Sequence, residues 1–286
     1  MSIVIENLTH TYMPGSPFQA TAIHGVSLTI RDGEFIGLIG HTGSGKSTLI
    51  QHLNGLLRPS SGRVLIDGKD LFAKDTDKRE VRRKVGLVFQ YPENQLFEET
   101  VAADIAFGPK NLGLSPEEVD ARVRDACAQV HLDYDTFKDR SVFELSGGQM
   151  RRAAIAGVLA MQPQTLILDE PCAGLDPRGR DEILGLVREL QRTRGTTVVM
   201  VSHSMDDVAS LVSRVIVMNR GQIAMDGTPR EVFRQGEALR AMGLDVPEAA
   251  RLAARLREKG FDVPEDAYLH GELLEAIKRI VGGAHA

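Results

Sequence analysis

The chain of 286 residues is short of several residue types that mark particular classes of protein. It has no tryptophan, and its two cysteines, Cys127 and Cys172, form neither a disulfide framework nor a metal-ligand spacing. No apolar run approaches the roughly 20 residues that a helix needs to span a bilayer. These absences exclude a disulfide-stabilised scaffold and a cysteine-based metal domain. They also predict free thiols and no transmembrane helix.

Positive charge is also scarce. Lysine and arginine together number 34 against 39 aspartates and glutamates, so the formal net charge is -5. This balance argues against a nucleic-acid binder that relies on a broad basic face. The first six residues lack the basic region and apolar core of a signal peptide. We therefore expect a cytosolic protein whose contact with a membrane would come through a partner.

The apolar residues, which make up 42% of the chain, are enough for one full core. Apolar runs separated by helical segments predict a parallel sheet with both faces covered. A helical stretch from about 98 to 160 interrupts this alternation, and Ser115-Pro116-Glu117-Glu118 is a helix start with a capping box. The predicted strands cover residues 27–30, 35–39, 63–66, 85–89, 165–168, 197–201 and 214–218.

The last fifty or so residues carry no catalytic motif. Another helix start occurs at Thr228-Pro229-Arg230-Glu231, and two apolar helix faces follow it. This tail is either a cap on the main core or an association surface. The two faces comprise Ala249, Leu252, Ala253 and Leu256, and then Leu273, Ile277, Ile280 and Val281.

A glycine-rich loop with the pattern G-x-x-x-x-G-K-S lies between the predicted strand 35–39 and a predicted helix 47–57. The glycines allow backbone N–H groups to close around phosphate oxygens, and the start of the helix attracts negative charge. Lys46 supplies a cation to the β- and γ-phosphates, and the Ser47 hydroxyl suits Mg²⁺. The predicted nucleotide-binding residues of this segment are Gly40, His41, Thr42, Gly43, Ser44, Gly45, Lys46, Ser47 and Thr48.

Two carboxylates, Asp169 and Glu170, end the predicted strand 165–168. Ligands of open α/β sheets bind at the carboxyl ends of strands. Asp169 is therefore a candidate ligand of Mg²⁺, and Glu170 is a candidate base for a water that attacks a γ-phosphate. An isolated Asp-Glu pair is often only a solvated strand end, so this interpretation depends on the glycine loop.

A second glycine motif, Leu145-Ser146-Gly147-Gly148-Gln149, precedes a predicted helix over 150–161. Ser146 can cap that helix, and the backbone N–H groups of Gly147 and Gly148 can bind an anion. Taken alone, such a segment is more often a flexible turn.

The order and spacing of these three motifs resemble the nucleotide-binding domains of ABC transporters, over about residues 1–235. The resemblance implies that Gln90 contacts Mg²⁺ and faces a membrane partner, and that Asp176 lies in the D-loop. It also implies that His203 contacts the γ-phosphate. Tyr12 is at the position of the aromatic residue that stacks on adenine, although Phe18 in an apparent inserted loop is an alternative.

What the resemblance implies for the fold is an α/β P-loop NTPase core with a mixed sheet and an N-terminal antiparallel β portion. A helical subdomain at about 91–160 is inserted into an ABC ATPase domain of residues 1–235. Residues 236–286 form a small helical C-terminal extension that takes part in subunit association. The implied catalytic residues are Glu170, His203 and Lys46, acting on ATP with Mg²⁺.

Several local strings resemble one subgroup, the ATPase subunits of energy-coupling factor transporters, and among these the second of two paralogues. The implied protein is a peripheral subunit at the cytoplasmic face of the cell membrane, powering import of vitamins or transition-metal ions. Cys172 departs from the small hydroxyl or alanine expected there. The strings are GHTG at 40–43, QHLNGL at 51–56, FQYPENQLF at 89–97, QMRR at 149–152 and SHSMDDV at 202–208.

The implied partners are a second, usually unlike ATPase subunit, a membrane coupling protein and a substrate-binding membrane subunit. Residues 91–100 would receive the coupling protein, and the segment Ser146, Gly147, Gly148 and Gln149 would complete the ATP site of the second ATPase. One alternative is a homodimeric cobalt or nickel importer ATPase. Another is a soluble ABC ATPase of nucleic-acid maintenance, which would need long coiled-coil insertions and more positive charge.

Overall fold

A computed structural model describes residues 1–283, which fall into two compact units. The first unit consists of Met1–Glu34 and Ser47–Val201, and the second of Phe35–Lys46 and the residues from Ser202 onward. The last three residues of the predicted extension, 284–286, lie outside the described part. The strands are β1 (Ile3–Tyr12), β2 (Ala20–Ile30), β3 (Phe35–Ile39), β4 (Ser61–Ile66), β5 (Lys69–Asp70), β6 (Val85–Val88), β7 (Thr165–Asp169), β8 (Thr197–Val201), β9 (Arg214–Asn219) and β10 (Gln222–Gly227).

The helices account for most of the remaining chain. Short 3-10 turns occur at Pro92–Gln95 and Val142–Glu144. None of the helices within residues 1–283 is long and apolar enough to cross a membrane. The helices are α1 (Lys46–Leu53), α2 (Lys78–Lys84), α3 (Val101–Asn111), α4 (Pro116–Gln129), α5 (Tyr134–Phe137), α6 (Gly147–Leu159), α7 (Pro177–Arg194), α8 (Met205–Leu211), α9 (Pro229–Phe233), α10 (Gly236–Ala241), α11 (Glu248–Glu258) and α12 (His270–Gly283).

The first unit contains an antiparallel sheet in the order β2-β1-β4-β5. Strand β1 lies in its interior, since Ile3 pairs with Ile30 on one side and with Ile66 on the other. Side chains of a strand point alternately to opposite faces, and Ile3 and Ile5 of β1 are both buried. Leu8, which follows a shift in the strand register, is buried as well. The N-terminal β portion implied by the family resemblance is therefore present.

The first unit also contains the parallel neighbours β6, β7 and β8. Leu87 pairs with Ile167, which pairs in turn with Val199. Every residue of β7 and β8 is buried, as expected of apolar runs in a parallel sheet covered on both faces. Between β6 and β7 the chain forms α3 to α6, and α4 begins with the capping box predicted at Ser115 and Glu118.

Helix α1 is shorter than the sequence prediction of 47–57, which was wrong at the C-terminal end. Gly55 adopts a left-handed backbone with a φ of +72°, and its N–H donates to the carbonyl of His52 at 3.2 Å. The N–H of Leu56 then donates to the Gln51 carbonyl at 2.9 Å. A left-handed glycine closes a helix in this way because it carries no Cβ.

The second unit pairs β3 with β9 in parallel and β9 with β10 antiparallel, so it also has a mixed sheet. Its C-terminal part has an apolar cluster of its own, formed by α11, α12 and the segment between them. Leu256, Ile277 and Ile280 pack against this cluster, as the two predicted apolar faces require. The buried members are Ala249, Ala253, Val263, Ala267, Leu273 and Ala276.

Two predicted members of these faces are not covered. Leu252 is 43% exposed and Val281 is 54% exposed, because the cluster uses only part of each apolar face. Arg230 links α9 to the extension. Its guanidinium donates to the Asp266 carboxylate at 2.7 Å and also to Glu272. The extension thus has a buried core of its own together with exposed apolar side chains.

Candidate active site

The glycine loop of the second unit has a backbone that only glycine adopts readily. Gly43 and Gly45 have φ values of +81° and +103°. A Cβ added to Gly40 would lie 2.4 Å from the Met218 carbonyl oxygen, so no side chain fits there. The loop therefore presents backbone amides rather than side chains, as the phosphate-binding prediction requires.

Two polar side chains of this loop, Lys46 and Ser44, are buried. The buried Lys46 ammonium donates to the carbonyl oxygens of Gly40 at 2.6 Å and His41 at 3.1 Å. The buried Ser44 Oγ has no hydrogen-bond partner among the described residues. Buried polar atoms without partners are rare. A chain of phosphates would supply acceptors for both groups, so the residues fit a bound triphosphate.

His41 holds the loop against the end of β9. One ring nitrogen, Nδ1, lies 2.7 Å from the Thr42 carbonyl oxygen, and Nε2 lies 3.2 Å from Asn219 Oδ1. These contacts give His41 a supporting role for the loop backbone, in addition to the nucleotide contact predicted for it. Asn219, the last residue of β9, was not singled out by the sequence analysis.

The carboxyl ends of β6 and β7 bring Gln90 and Glu170 together in the first unit. Gln90 Nε2 donates to Glu170 Oε2 at 3.5 Å, and Asp169 is buried as the last residue of β7. Glu170 has a φ of +50°, and its N–H donates to the Val201 carbonyl at 3.0 Å. A left-handed non-glycine residue costs about 1–3 kcal/mol and is concentrated at functional sites.

The second glycine motif forms the open start of α6. Ser146 and Gln149 form a capping box: Ser146 N–H donates to Gln149 Oε1 at 2.9 Å, and Gln149 N–H donates to Ser146 Oγ at 3.4 Å. A Cβ added to Gly147 or Gly148 would meet nothing within 4 Å. The cap predicted for Ser146 is thus present, and both glycines have open space where a side chain would stand.

Asp176 and His203 lie at the starts of two further helices. Asp176 caps α7, accepting from the Gly179 N–H at 2.7 Å. His203 belongs to the second unit and is exposed in the short segment between β8 and α8. Ser204, next to it, caps α8 by accepting from the Asp207 N–H at 3.3 Å.

Tyr12 and Phe18, the two candidates for contact with a base, differ in how firmly they are held. The Tyr12 hydroxyl lies 3.1 Å from Thr48 Oγ1, and the edge of its ring packs on His10 at a centroid distance of 4.5 Å. Phe18 is 80% exposed in the turn between β1 and β2. Tyr12 is therefore a fixed platform next to α1, and Phe18 is not.

His52 contacts both residues that hold Tyr12, namely His10 and Thr48. Sequence reasoning did not single it out as a site residue. Its ring packs on that of His10 at 4.7 Å, and its Nδ1 donates to the Thr48 carbonyl at 2.7 Å. The fully buried Nε2 has no partner among the described residues. The i, i+4 spacing of Thr48 and His52 on α1 is the signal that could have linked them. Burial lowers the pKa of His52 below its ordinary value.

The depressed pKa of His52 predicts a loss of stability in mild acid. Below the ordinary pKa of about 6.5, the unfolded chain binds a proton that folded His52 does not, so the free energy of unfolding falls as the pH falls. The limit is about 1.4 kcal/mol per pH unit. Urea unfolding at pH 7.5 and 5.5 should show a smaller pH effect in His52→Gln than in the unchanged chain. His24→Gln, at an exposed position, is the control, and an equal pH effect in all three proteins would contradict the prediction.

The residues predicted to hold Mg²⁺ are a hydroxyl, an amide and a carboxylate, from Ser47, Gln90 and Asp169. Oxygen ligands of this kind, together with phosphate oxygens, are the usual ligands of Mg²⁺. No group of three or more His, Cys, Asp or Glu side chains within residues 1–283 could hold a metal ion. The residues present fit a magnesium ion that arrives with a nucleotide rather than a dedicated protein cage.

The glycine loop, the Asp169-Glu170 strand end and the open α6 start define an ATP-binding cassette ATPase. Residues 23–173, more than half of the chain, match the family described as ABC transporter, and the chain belongs to that family. Within it, the chain is 59% identical over 283 residues to the energy-coupling factor transporter ATP-binding protein EcfA2 of Symbiobacterium thermophilum. That match covers 99% of this chain and 98% of the relative.

Solved structures give the same picture. The structure of cbiO1 from Clostridium perfringens, part of the ABC transporter complex cbiONQ, is 38% identical with a TM-score of 0.74, covering 90% of this chain and 96% of that one. The ATP-binding cassette MJ0796, solved as a dimer in a post-hydrolysis state with ADP and Pi, is 29% identical with a TM-score of 0.69. That match covers 79% of this chain and 98% of the MJ0796 chain. The predicted α/β P-loop fold and the ABC family are therefore confirmed.

Proposed function

We propose that this chain is an ATP-hydrolysing subunit of an energy-coupling factor transporter, which powers import of vitamins or transition-metal ions through a membrane partner. The observation that carries the proposal is the Glu170 carboxylate, set on a left-handed backbone beside Gln90. This places a candidate base beside the glutamine of the segment proposed to face the membrane. The identity to EcfA2 selects the energy-coupling factor subgroup.

The loop of residues 40–45 binds the triphosphate of ATP through backbone amides. Lys46 exchanges its contacts with the loop carbonyls for phosphate oxygens, which carry negative charge and bind the ammonium more strongly. The Ser47 and Thr48 hydroxyls lie at the start of α1, and Tyr12 is held by Thr48 as the platform for adenine. Stacking on an aromatic ring recognises the base through its face rather than its edge.

Glu170 orients the attacking water and accepts its proton, and Gln90 holds the Glu170 carboxylate on one side. Ser47, Gln90 and Asp169 would hold Mg²⁺, which supplies charge neutralisation at the β- and γ-phosphates when it is bound. The exposed His203 contacts the γ-phosphate. The reaction needs no covalent intermediate, so positioning of the water and stabilisation of charge account for the catalysis.

The open start of α6 serves the nucleotide of a second ATPase subunit. A side chain at Gly147 or Gly148 would meet open space, and the backbone N–H groups at this helix start form an anion site that a partner's γ-phosphate can enter. Asp176, which caps α7, belongs to the D-loop, and this loop faces the same contact between the two ATPase subunits. The dimeric state solved for the relative MJ0796 supports a site completed between two chains.

The membrane coupling protein docks on the segment 91–100 at the cytoplasmic face of the membrane. Phe97 and Phe107 are 57% and 44% exposed and pack edge to face at 4.8 Å. Exposed aromatic residues next to a cavity are typical of interaction sites. The adjoining cavity, of about 250 Å³, is lined by Leu87, Leu96, Phe97, Phe107, Ala154 and Met161 among others.

The ABC ATPase domain comprises residues 1–235, and residues 236–286 form an extension that joins the two ATPase subunits. The exposed Leu252, Leu274 and Val281 support this role, because they leave an apolar surface beside the extension's own buried cluster. A second ATPase subunit of unlike sequence, a paralogue of this chain, is the proposed occupant.

Co-purification tests the proposed function directly. A tag on this chain should retrieve, from detergent-solubilised membranes of the native host, a membrane coupling protein, a substrate-binding membrane protein and a second ATPase of different mass. Retrieval of this chain as the sole ATPase would favour the homodimeric importer. Recovery of nucleic acid without any membrane protein would overturn the proposal.

The same preparation tests the extension. Leu252→Ser and Leu274→Ser should weaken association of the two ATPases by about tenfold each, the effect of removing a buried leucine from an interface. Size-exclusion chromatography over a dilution series measures this association. Met13→Ser, which also removes an exposed apolar side chain, is the matched control. Unchanged association in both extension variants would contradict the role.

A further inference from the structure

Arg151 on α6 is a buried cation to which the proposed function assigns no role. It is 3% exposed, whereas its neighbour Arg152 is partly exposed and pairs with Glu182. Arginine is almost never fully buried unless its charge has partners. The contacts of Arg151 should therefore indicate what it does.

The Arg151 guanidinium joins two other segments of the first unit. Its Nη1 donates to the carbonyl oxygens of Pro171 and Ala173, both at 2.9 Å, and its Nη2 donates to Glu93 Oε2 at 3.5 Å. The buried Nε has no partner within the described part of the chain. The buried guanidinium has lost its hydration and one hydrogen bond, at Nε, while it donates to these three acceptors.

The two carbonyls belong to the turn that follows Glu170. Glu170 itself has a left-handed backbone, and its carbonyl accepts from the Ala173 N–H at 3.1 Å. The carbonyls of Pro171 and Ala173 both accept from Arg151, so the guanidinium bonds to the turn in addition to this backbone bond. Strained backbone of this kind persists only where its surroundings hold it in place.

Glu93 belongs to the segment that follows Gln90. This 3-10 turn, Pro92–Gln95, begins directly after Tyr91, which is also left-handed with a φ of +58°. Gln90, immediately before it, donates to the Glu170 carboxylate. The segment 90–95 and the segment from Glu170 to Ala173 are therefore connected at two points. Gln90 donates to Glu170 at the first, and Arg151 bonds to both segments at the second.

We propose that Arg151 is a positioning residue that couples the segment 90–95 to the catalytic Glu170. The proposal rests on the proposed function, in which Glu170 is the base and this segment contacts the membrane partner. The guanidinium is planar and rigid, so a displacement of Glu93 is passed to the turn that sets the Glu170 backbone. Lysine cannot replace it, because an ammonium has no fixed fork to span two carbonyls and a carboxylate.

Steady-state ATPase measurements on the purified, assembled transporter test this coupling. Arg151→Lys should lower kcat by about 10- to 100-fold while the KM for ATP stays within about twofold, since a misplaced catalytic group affects chemistry more than binding. Glu93→Gln should lower kcat in the same direction by a smaller factor. In the double variant, kcat should equal that of Arg151→Lys, because both changes break one connection.

Arg124→Gln is the matched control, since Arg124 is an exposed arginine paired with Asp120 on α4, and its kcat should be unchanged. Thermal unfolding separates positioning from support of the fold. A lowered unfolding temperature with unchanged kcat in Arg151→Lys would overturn the proposal, and so would independent, multiplicative effects of the two substitutions. If Glu170→Gln hydrolyses ATP normally, the proposed function fails. If that variant is inactive while Arg151→Lys is normal, only the coupling fails.

Discussion

Glu170→Gln is expected to keep ATP binding and to lower phosphate release by about 10²- to 10⁴-fold, the usual contribution of a general base. The amide keeps the size of the side chain and suits the same left-handed backbone. It cannot accept a proton from the attacking water. The γ-phosphate then stays in place, so the variant should accumulate as an ATP-bound pair of ATPase subunits.

Two measurements on the assembled complex check this expectation. Phosphate release reports the chemical step, and size-exclusion chromatography with and without ATP reports the trapped pair. Glu117→Gln, which changes an exposed glutamate in the first turn of α4, is the control. Phosphate release at the unchanged rate by Glu170→Gln would remove Glu170 from the catalytic role.

Lys46→Ala should have the second largest effect, on ATP affinity. A charge-assisted hydrogen bond contributes about 1.5–3 kcal/mol, and Lys46 can make more than one with a triphosphate. We therefore expect the Kd for ATP to rise about 100-fold, equivalent to about 2.8 kcal/mol. Calorimetric titration of the purified chain with MgATP measures this change.

A control is needed because Lys46 also holds the loop through the carbonyls of Gly40 and His41. Thermal unfolding without nucleotide shows whether the loss of these bonds disturbs the fold. Lys74→Ala, at an exposed position, should leave both quantities unchanged. An unchanged Kd in Lys46→Ala would count against the phosphate-binding role of the whole glycine loop.

Much of the fold was predictable because its signals are local. The short, largely apolar runs of β3 and β8 match their predicted bounds, since this pattern is typical of buried parallel strands. The starts of α4 and α9 were predictable because a capping box is complete within four residues. The end of α1 was not, because the sequence alone does not state that Gly55 turns left-handed there.

The candidate site divides in the same way. The glycine loop and the Asp169-Glu170 pair were found because their chemistry needs consecutive residues at fixed spacing. That Tyr12 is held more firmly than Phe18 could not be predicted, because the contact of Tyr12 with Thr48 joins residues far apart in the chain. His52 was missed although its spacing from Thr48 is local, because its packing on His10 joins residues far apart in the chain.

The amino-acid sequence alone was sufficient to identify an ABC ATPase, because the glycine loop, the Asp169-Glu170 strand end and the capped glycine motif are each a short local string. Nothing in the local sequence distinguishes Arg151 from Arg152, which are adjacent residues of the same type. Their difference arises from folding, which buries Arg151 against the turn after Glu170 and leaves Arg152 at the surface with Glu182. Burial depends on which distant segments pack together. Here it lets the Arg151 guanidinium connect the turn at Pro92–Gln95 with the turn after Glu170.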